Sequence, residues 1–285
     1  MISIPFGLLS ALAWGAADFA GGIASRKTGA YRAVLYGEGF GLVLIVAAAV
    51  IVRQPTPAWT VWVLAGVAGA IGSIGLLLLF RAFTEGMMSI AAPVSALLAA
   101  ILPVIVGAFT EGLPSPWTFL GFGFALTAVW LISRAEGNDG HILAHLSDLR
   151  LPLIAGIGFG LYFILLHAAT RQATLWPMVA SRSGGALAVV LYMAGRKDSW
   201  RVERAVWPFI ALNGILDIGG NALYILAGQA GRLDVSAVLS SLYPGATVIL
   251  PGVPQRTPLA QPVARDSRRA GRHRADDTLG LEAAT

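Results

Sequence analysis

Nine long apolar runs separated by short polar hinges set the pattern of this chain. They cover roughly 4–24, 33–52, 59–80, 88–109, 117–134, 152–171, 177–195, 206–229 and 235–250. A helix needs about 20 apolar residues to cross the hydrocarbon core. Most of these runs approach that length, and none alternates polar and apolar residues as barrel strands do. Helices also satisfy their own backbone hydrogen bonds, which lipid cannot do for them. The pattern predicts an all-α membrane protein with about nine transmembrane helices.

Composition agrees. The chain has 285 residues, 56% apolar and 12% charged, with a mean hydropathy of +0.72. A soluble domain of this length could not cover so much apolar surface with a polar exterior. The first run lacks the basic flank of a signal peptide and has a later partner that reads as a span, so it is taken as the first helix. Cysteine is absent, which excludes disulfides and thiolate metal sites.

The chain also repeats itself. The stretch Phe80–Ser133 holds two hinges and two apolar runs, and a partial copy runs from Ile225 to Leu250. Under a shift of 145 residues Arg26 falls on Arg171, Gly39 on Gly184, Trp62 on Trp207, Gly75 on Gly220, Gly86 on Gly231 and Ser95 on Ser240. The register holds without gaps over about 95 positions, which predicts a tandem duplication. A five-span unit is odd, so the two copies must lie in the membrane with opposite orientation. The expected organisation is a first repeat of five spans at 1–134, a polar linker at 135–151, a second repeat of four spans at 152–250, and a disordered basic tail at 251–285.

In its order of spans and hinges the sequence resembles the drug/metabolite transporter superfamily, in its two-domain EamA-type branch. The resemblance covers about 1–250 and rests on Trp14-Gly15, on the series Gly86, Pro93, Pro103, Glu111-Gly112, Gly121, and on Ser240-Ser241-Leu242-Tyr243-Pro244 with Thr247. It implies ten spans in two five-helix units and transport of small metabolites. The chain departs from that pattern after Leu250. The shift predicts a tenth span there, but the sequence is rich in Arg and Pro, with Pro251, Pro254, Pro258 and Pro262, and has no apolar run. Such a segment cannot bury enough apolar surface to order itself. A frameshift or truncation near residue 250 is expected, the alternative being a nine-span variant with a disordered tail.

Charge gives a mixed answer on orientation. Loops after odd-numbered spans carry ten Lys/Arg and those after even-numbered spans carry Arg53, Arg171 and Arg232. The positive-inside rule then puts the N-terminus outside, whereas the resemblance implies a cytoplasmic N-terminus.

Seven tryptophans, Trp59, Trp62, Trp117, Trp130, Trp176, Trp200 and Trp207, lie near span ends and read as interfacial anchors. Trp14 lies mid-span. It could be ordinary packing, but Asp18 follows on the same helical face, and an intramembrane carboxylate usually faces a cavity or a partner. Asn213, Asp217 and Asn221 form a polar stripe in the eighth span. Their mates are Ala68, Gly72 and Leu76, so the stripe is no demand of the repeat. It points to substrate or proton handling, against a helix–helix hydrogen bond as the bland reading. The mate of Arg182 is Gly37, next to Glu38, and positions near a pseudo-two-fold axis meet across it. A Glu38–Arg182 ion pair is expected, the alternative being that either residue sits at the water interface. The transport-pathway set is therefore Trp14, Asp18, Glu38, Arg182, Asn213, Asp217 and Asn221.

Other features give less. Gly66, Gly69, Gly72 and Gly75 recur at every third position and predict close helix approach. Glu85 and Glu111 read as loop polarity, His167 as interfacial, and His141, His145 and Asp148 as a solvated linker rather than a metal site. No metal or cofactor is predicted. No zincin, nucleophile-elbow or Walker signature is present, so an enzyme is the weaker class. The expected function is a secondary transporter of a small metabolite or drug-like molecule in the cytoplasmic membrane. If coupling is to protons, Asp18 and Asp217 carry it. The alternatives are an inactive frameshifted product or a membrane-embedded enzyme. The expected partners are membrane lipid and a small-molecule substrate, with no nucleic acid. Acidic and basic groups together permit a zwitterionic substrate, and oligomeric state is not legible.

Overall fold

The computed structural model describes residues 2–135, 149–171, 173–196 and 199–245. Most of the linker, with His141, His145 and Asp148, and everything from 246 onward lie outside the described residues, as does the side chain of Trp130. The apolar runs form α1 (Ser3–Thr28), α2 (Ala30–Val52), α3 (Trp59–Thr84), α4 (Met88–Thr110), α5 (Pro116–Ala135), α6 (Arg150–Ala169), α7 (Leu175–Arg196), α8 (Trp207–Gln229) and α9 (Leu233–Ser240). Seven of these, α1–α4 and α6–α8, are long and apolar enough to cross a membrane. Among the described residues there are no strands. This is an all-α, multi-pass membrane protein.

Hinges end the helices where backbone chemistry demands it. A single residue, Gly29, joins α1 to α2 at φ 91°, a conformation that glycine adopts without steric cost. The ninth run is interrupted as a regular helix. The chain leaves α9 at Ser240, where Pro244 has no N–H to offer the Ser240 carbonyl, passes through a turn at Ser241 and Leu242, and is helical again over residues 243–245. Proline alone does not decide this, since α4 stays helical through Pro93 and Pro103.

The strongest interfaces, α1 with α8, α3 with α6 and α7, α4 with α6, and α2 with α7 and α8, each join a helix of residues 3–135 to one of residues 150–229. Close approach at glycines makes them possible, because in lipid it is van der Waals packing, not water exclusion, that holds helices together. A side chain at Gly69 would collide with the Ser181 backbone, one at Gly184 with the Gly66 backbone, and one at Gly72 with the Tyr162 ring. The glycine stripe of α3 is thus the seam against α6 and α7. Outward faces stay apolar, as at Ile51 and Phe109, where lipid is the solvent.

The starts of α1, α7 and α9 share a face with the ends of α2, α4, α6 and α8. Ser3 Oγ donates to Ala227 O (2.9 Å), Gln54 takes the Leu175 N–H (2.8 Å), and Arg232 Nη1 donates to Glu111 O (3.1 Å). On the opposite face Arg32 Nε donates to Ser199 O (2.6 Å) and Tyr36 OH to Trp200 O (2.6 Å). The tryptophans divide. Trp59, Trp117 and Trp200 are exposed, while Trp62 packs on Trp176 (5.7 Å) and Trp207 on Tyr36 (5.0 Å), inside helix seams.

Candidate functional site

The buried polar groups converge on one cavity. It has a volume of about 70 Å³ and draws its walls from α1, α2, α3, α6, α7 and α8, with Tyr243 beyond α9. Glycines 69 and 72 supply part of the wall, since a residue without a side chain leaves room where the helices would otherwise fill it. Trp14 closes one side. Its indole stacks on Phe163 (5.2 Å) and leans on Tyr224 (5.8 Å).

Arg182 is the hub of the polar side. Its Nη1 donates to Glu38 Oε2 at 2.8 Å, and its Nη2 donates to Asp217 Oδ2. The other Glu38 oxygen accepts the Ser73 hydroxyl at 2.5 Å. Glu38 and Arg182 are 5% and 6% exposed, so this is a pair within the protein and not at a water interface. Removing charges from water is expensive, and only a well-formed, hydrogen-bonded arrangement repays it. The triad ties α2, α7 and α8 together at that cost.

The expected Glu38–Arg182 pair is present, and Asp217 joins it, a contact the repeat register gives no hint of. Asp217 lies in the neighbouring wall with Asn221. The Asn221 amide donates to the Asp217 carbonyl (2.7 Å), and its side-chain oxygen accepts the Tyr162 hydroxyl. Asn213 behaves differently. It is 3% exposed, lies outside the cavity lining, and donates to Ala17 O at 2.9 Å, joining α8 to α1. Positions four apart on a helix drift by about 40°, so the stripe turns by about 80° over two steps and cannot keep all three residues on one wall.

Asp18 is the exception among the charged groups. It lines the cavity at 8% exposure, four residues after Trp14, and among the described residues no donor or cation is bonded to it. Tyr162, Ser73, Ser181 and Tyr243 complete the polar lining; the first three went unnoticed in the sequence, because isolated Ser and Tyr carry no periodic signal, and Tyr243 stood out there only within the family-like series. Tyr243 sits in the Ser240–Pro244 segment, and its hydroxyl pairs with Ser95 Oγ (2.9 Å).

A separate polar cluster joins helix ends away from the cavity. Glu111 is more than loop polarity. Its Oε2 accepts the Leu233 N–H (3.1 Å), capping α9 from another segment, and its Oε1 lies 3.5 Å from His167 Nε2. Arg232 adds a fork to Asp234, which is fully buried.

Fold and site together define a multi-pass helical membrane protein with a charged internal cavity built from distant parts of the chain. Residues 1–134 match the EamA-like transporter family, of the drug/metabolite transporter superfamily. A protein of known crystal structure is 20% identical, with a TM-score of 0.65 over 87% of this chain and 86% of that one, a likeness of fold. Among curated proteins none matches this chain.

Proposed function

We propose that the chain is a secondary carrier that moves a small molecule across the cytoplasmic membrane by alternating access between two inverted repeats. The repeats are residues 1–134 and 152–250, with 135–151 as linker and 251–285 as tail. The carrying observation is the cavity, whose charged triad takes Glu38 from the first repeat and Arg182 and Asp217 from the second. Any rocking of one repeat against the other must work on these contacts.

Two features support the repeat. Shifting α6, α7 and α8 back by 145 places them within α1, α2 and α3 to within a few residues at each end. The packing is also reciprocal. Trp14 of α1 lies on Gly220 of α8, and their mates Phe159 of α6 and Gly75 of α3 lie on each other.

The chain has no cysteine, which makes the test direct. Leu76→Cys places a single thiol in the cavity wall. In vesicles of known orientation, a membrane-impermeant thiol reagent is expected to label it from either side. Labelling from one side only would mean a blind cavity, and the carrier reading would fall.

A further inference from the structure

The charge count of the cavity narrows what fits it. Its lining includes three carboxylates, Asp18, Glu38 and Asp217, against one guanidinium, Arg182. Arg182 already answers two of the carboxylates, one through each terminal nitrogen. Seen in sequence, one basic residue among acids permits a zwitterion. In the folded protein that base is already engaged, and a ligand carboxylate would bring a further negative charge to a surplus of them.

Asp18 is the group left over. Glu38 of α2 and Asp217 of α8 are the charged groups that face it across the cavity, with Arg182 of α7 turned onto both of them. Tyr162 of α6 is bonded to Asn221, and Tyr243, beyond α9, to Ser95 and to the Ala92 carbonyl (3.2 Å). The α3 wall contributes Gly69, Gly72, Ser73 and Leu76, none of them titratable. A carboxylate buried to this extent, with no partner among the described residues, is costly as a bare anion, and a proton or another cation would relieve that cost. The same cavity is lined by the rings of Trp14, Phe159, Tyr162, Phe163 and Tyr243. Aromatic faces attract cations and accept flat apolar bodies.

We propose that the cavity binds an organic cation with an aromatic or apolar body, its ammonium group on Asp18, in exchange for a proton. The step balances. Protonated Asp18 gives its proton to water as the cation arrives, and the Asp18 carboxylate and the cation then form a neutral pair. This rests on the carrier reading for its role in transport, but the binding site stands or falls separately.

Three ligands with a common phenyl ring and differing charge test it: phenethylammonium, phenylalanine and 3-phenylpropionate. Titrated by calorimetry into the full chain in detergent, phenethylammonium should bind at least about tenfold tighter than either of the others. Its apparent affinity should rise with pH, because protons compete for Asp18, and binding in weak buffer should release protons. Asp18→Asn should lose the cation preference and the proton release, while Glu85→Gln, on an exposed turn, should keep both. Equal affinity for the three ligands, no binding of the cation, or unchanged cation binding by a folded Asp18→Asn variant overturns the proposal. In vesicles, Asp18-dependent binding without flux would fell the carrier reading alone. Flux of phenylalanine untouched by Asp18→Asn would fell the cation site alone.

Discussion

Arg182→Met is the sharpest perturbation of the site. It keeps most of the side-chain length and removes the charge that Glu38 and Asp217 share. The side chains of Glu38, Asp217 and Arg182 are 5%, 18% and 7% exposed, so water cannot replace the lost guanidinium at Glu38 and reaches Asp217 only in part. Removing one partner of a buried ion pair costs about 3–5 kcal/mol. For a chain of this size that is a fall of about 10 °C in melting temperature. The cost is for stranded carboxylates and not for a lost attraction. The triple variant Glu38→Gln, Arg182→Met, Asp217→Asn should therefore recover most of it, since replacing a whole buried ion cluster by neutral groups is close to neutral. Both are read by heating the detergent-solubilised protein and following the monodisperse fraction by size exclusion. A single variant that melts within about 2 °C of the parent, or a triple variant no better than the single, would refute the reasoning.

Gly69→Ala puts a methyl group into the Ser181 backbone and should cost at least about 1–3 kcal/mol in the same melting assay, whereas Gly121→Ala, with open space around it, should change stability by less than about 0.5 kcal/mol. Asn213→Ala should lower stability by about 1 kcal/mol through the lost bond to Ala17 and leave phenethylammonium affinity near that of the parent, while Asn221→Ala, in the cavity wall, should change affinity as well. Glu111→Ala removes the cap on α9 and should cost about 1–2 kcal/mol, and Glu111→Gln, which keeps an acceptor for the Leu233 N–H, should recover most of the loss in the same melts.

The amino-acid sequence by itself determined the helices, their approximate ends, the glycine seam on α3 and the placing of charged residues inside the membrane. These are properties of one dimension: run length against bilayer thickness, and spacing against the helical turn. It also allowed Glu38 and Arg182 to be paired, because a register between distant segments carries some three-dimensional information. Partnering among the remaining groups was not legible. Asn213, Asp217 and Asn221 look alike as a stripe, yet helical drift sends Asn213 to the α1 backbone and the other two to the cavity. Asp18 and Asp217 look alike as intramembrane acids, yet Arg182 reaches only Asp217. Which carboxylate is neutralised depends on where helices 35 to 200 residues apart in sequence cross, and on a few ångströms of close approach at glycine. Only the tertiary structure decides that, and it decides whether the cavity can hold a zwitterion or calls for a cation.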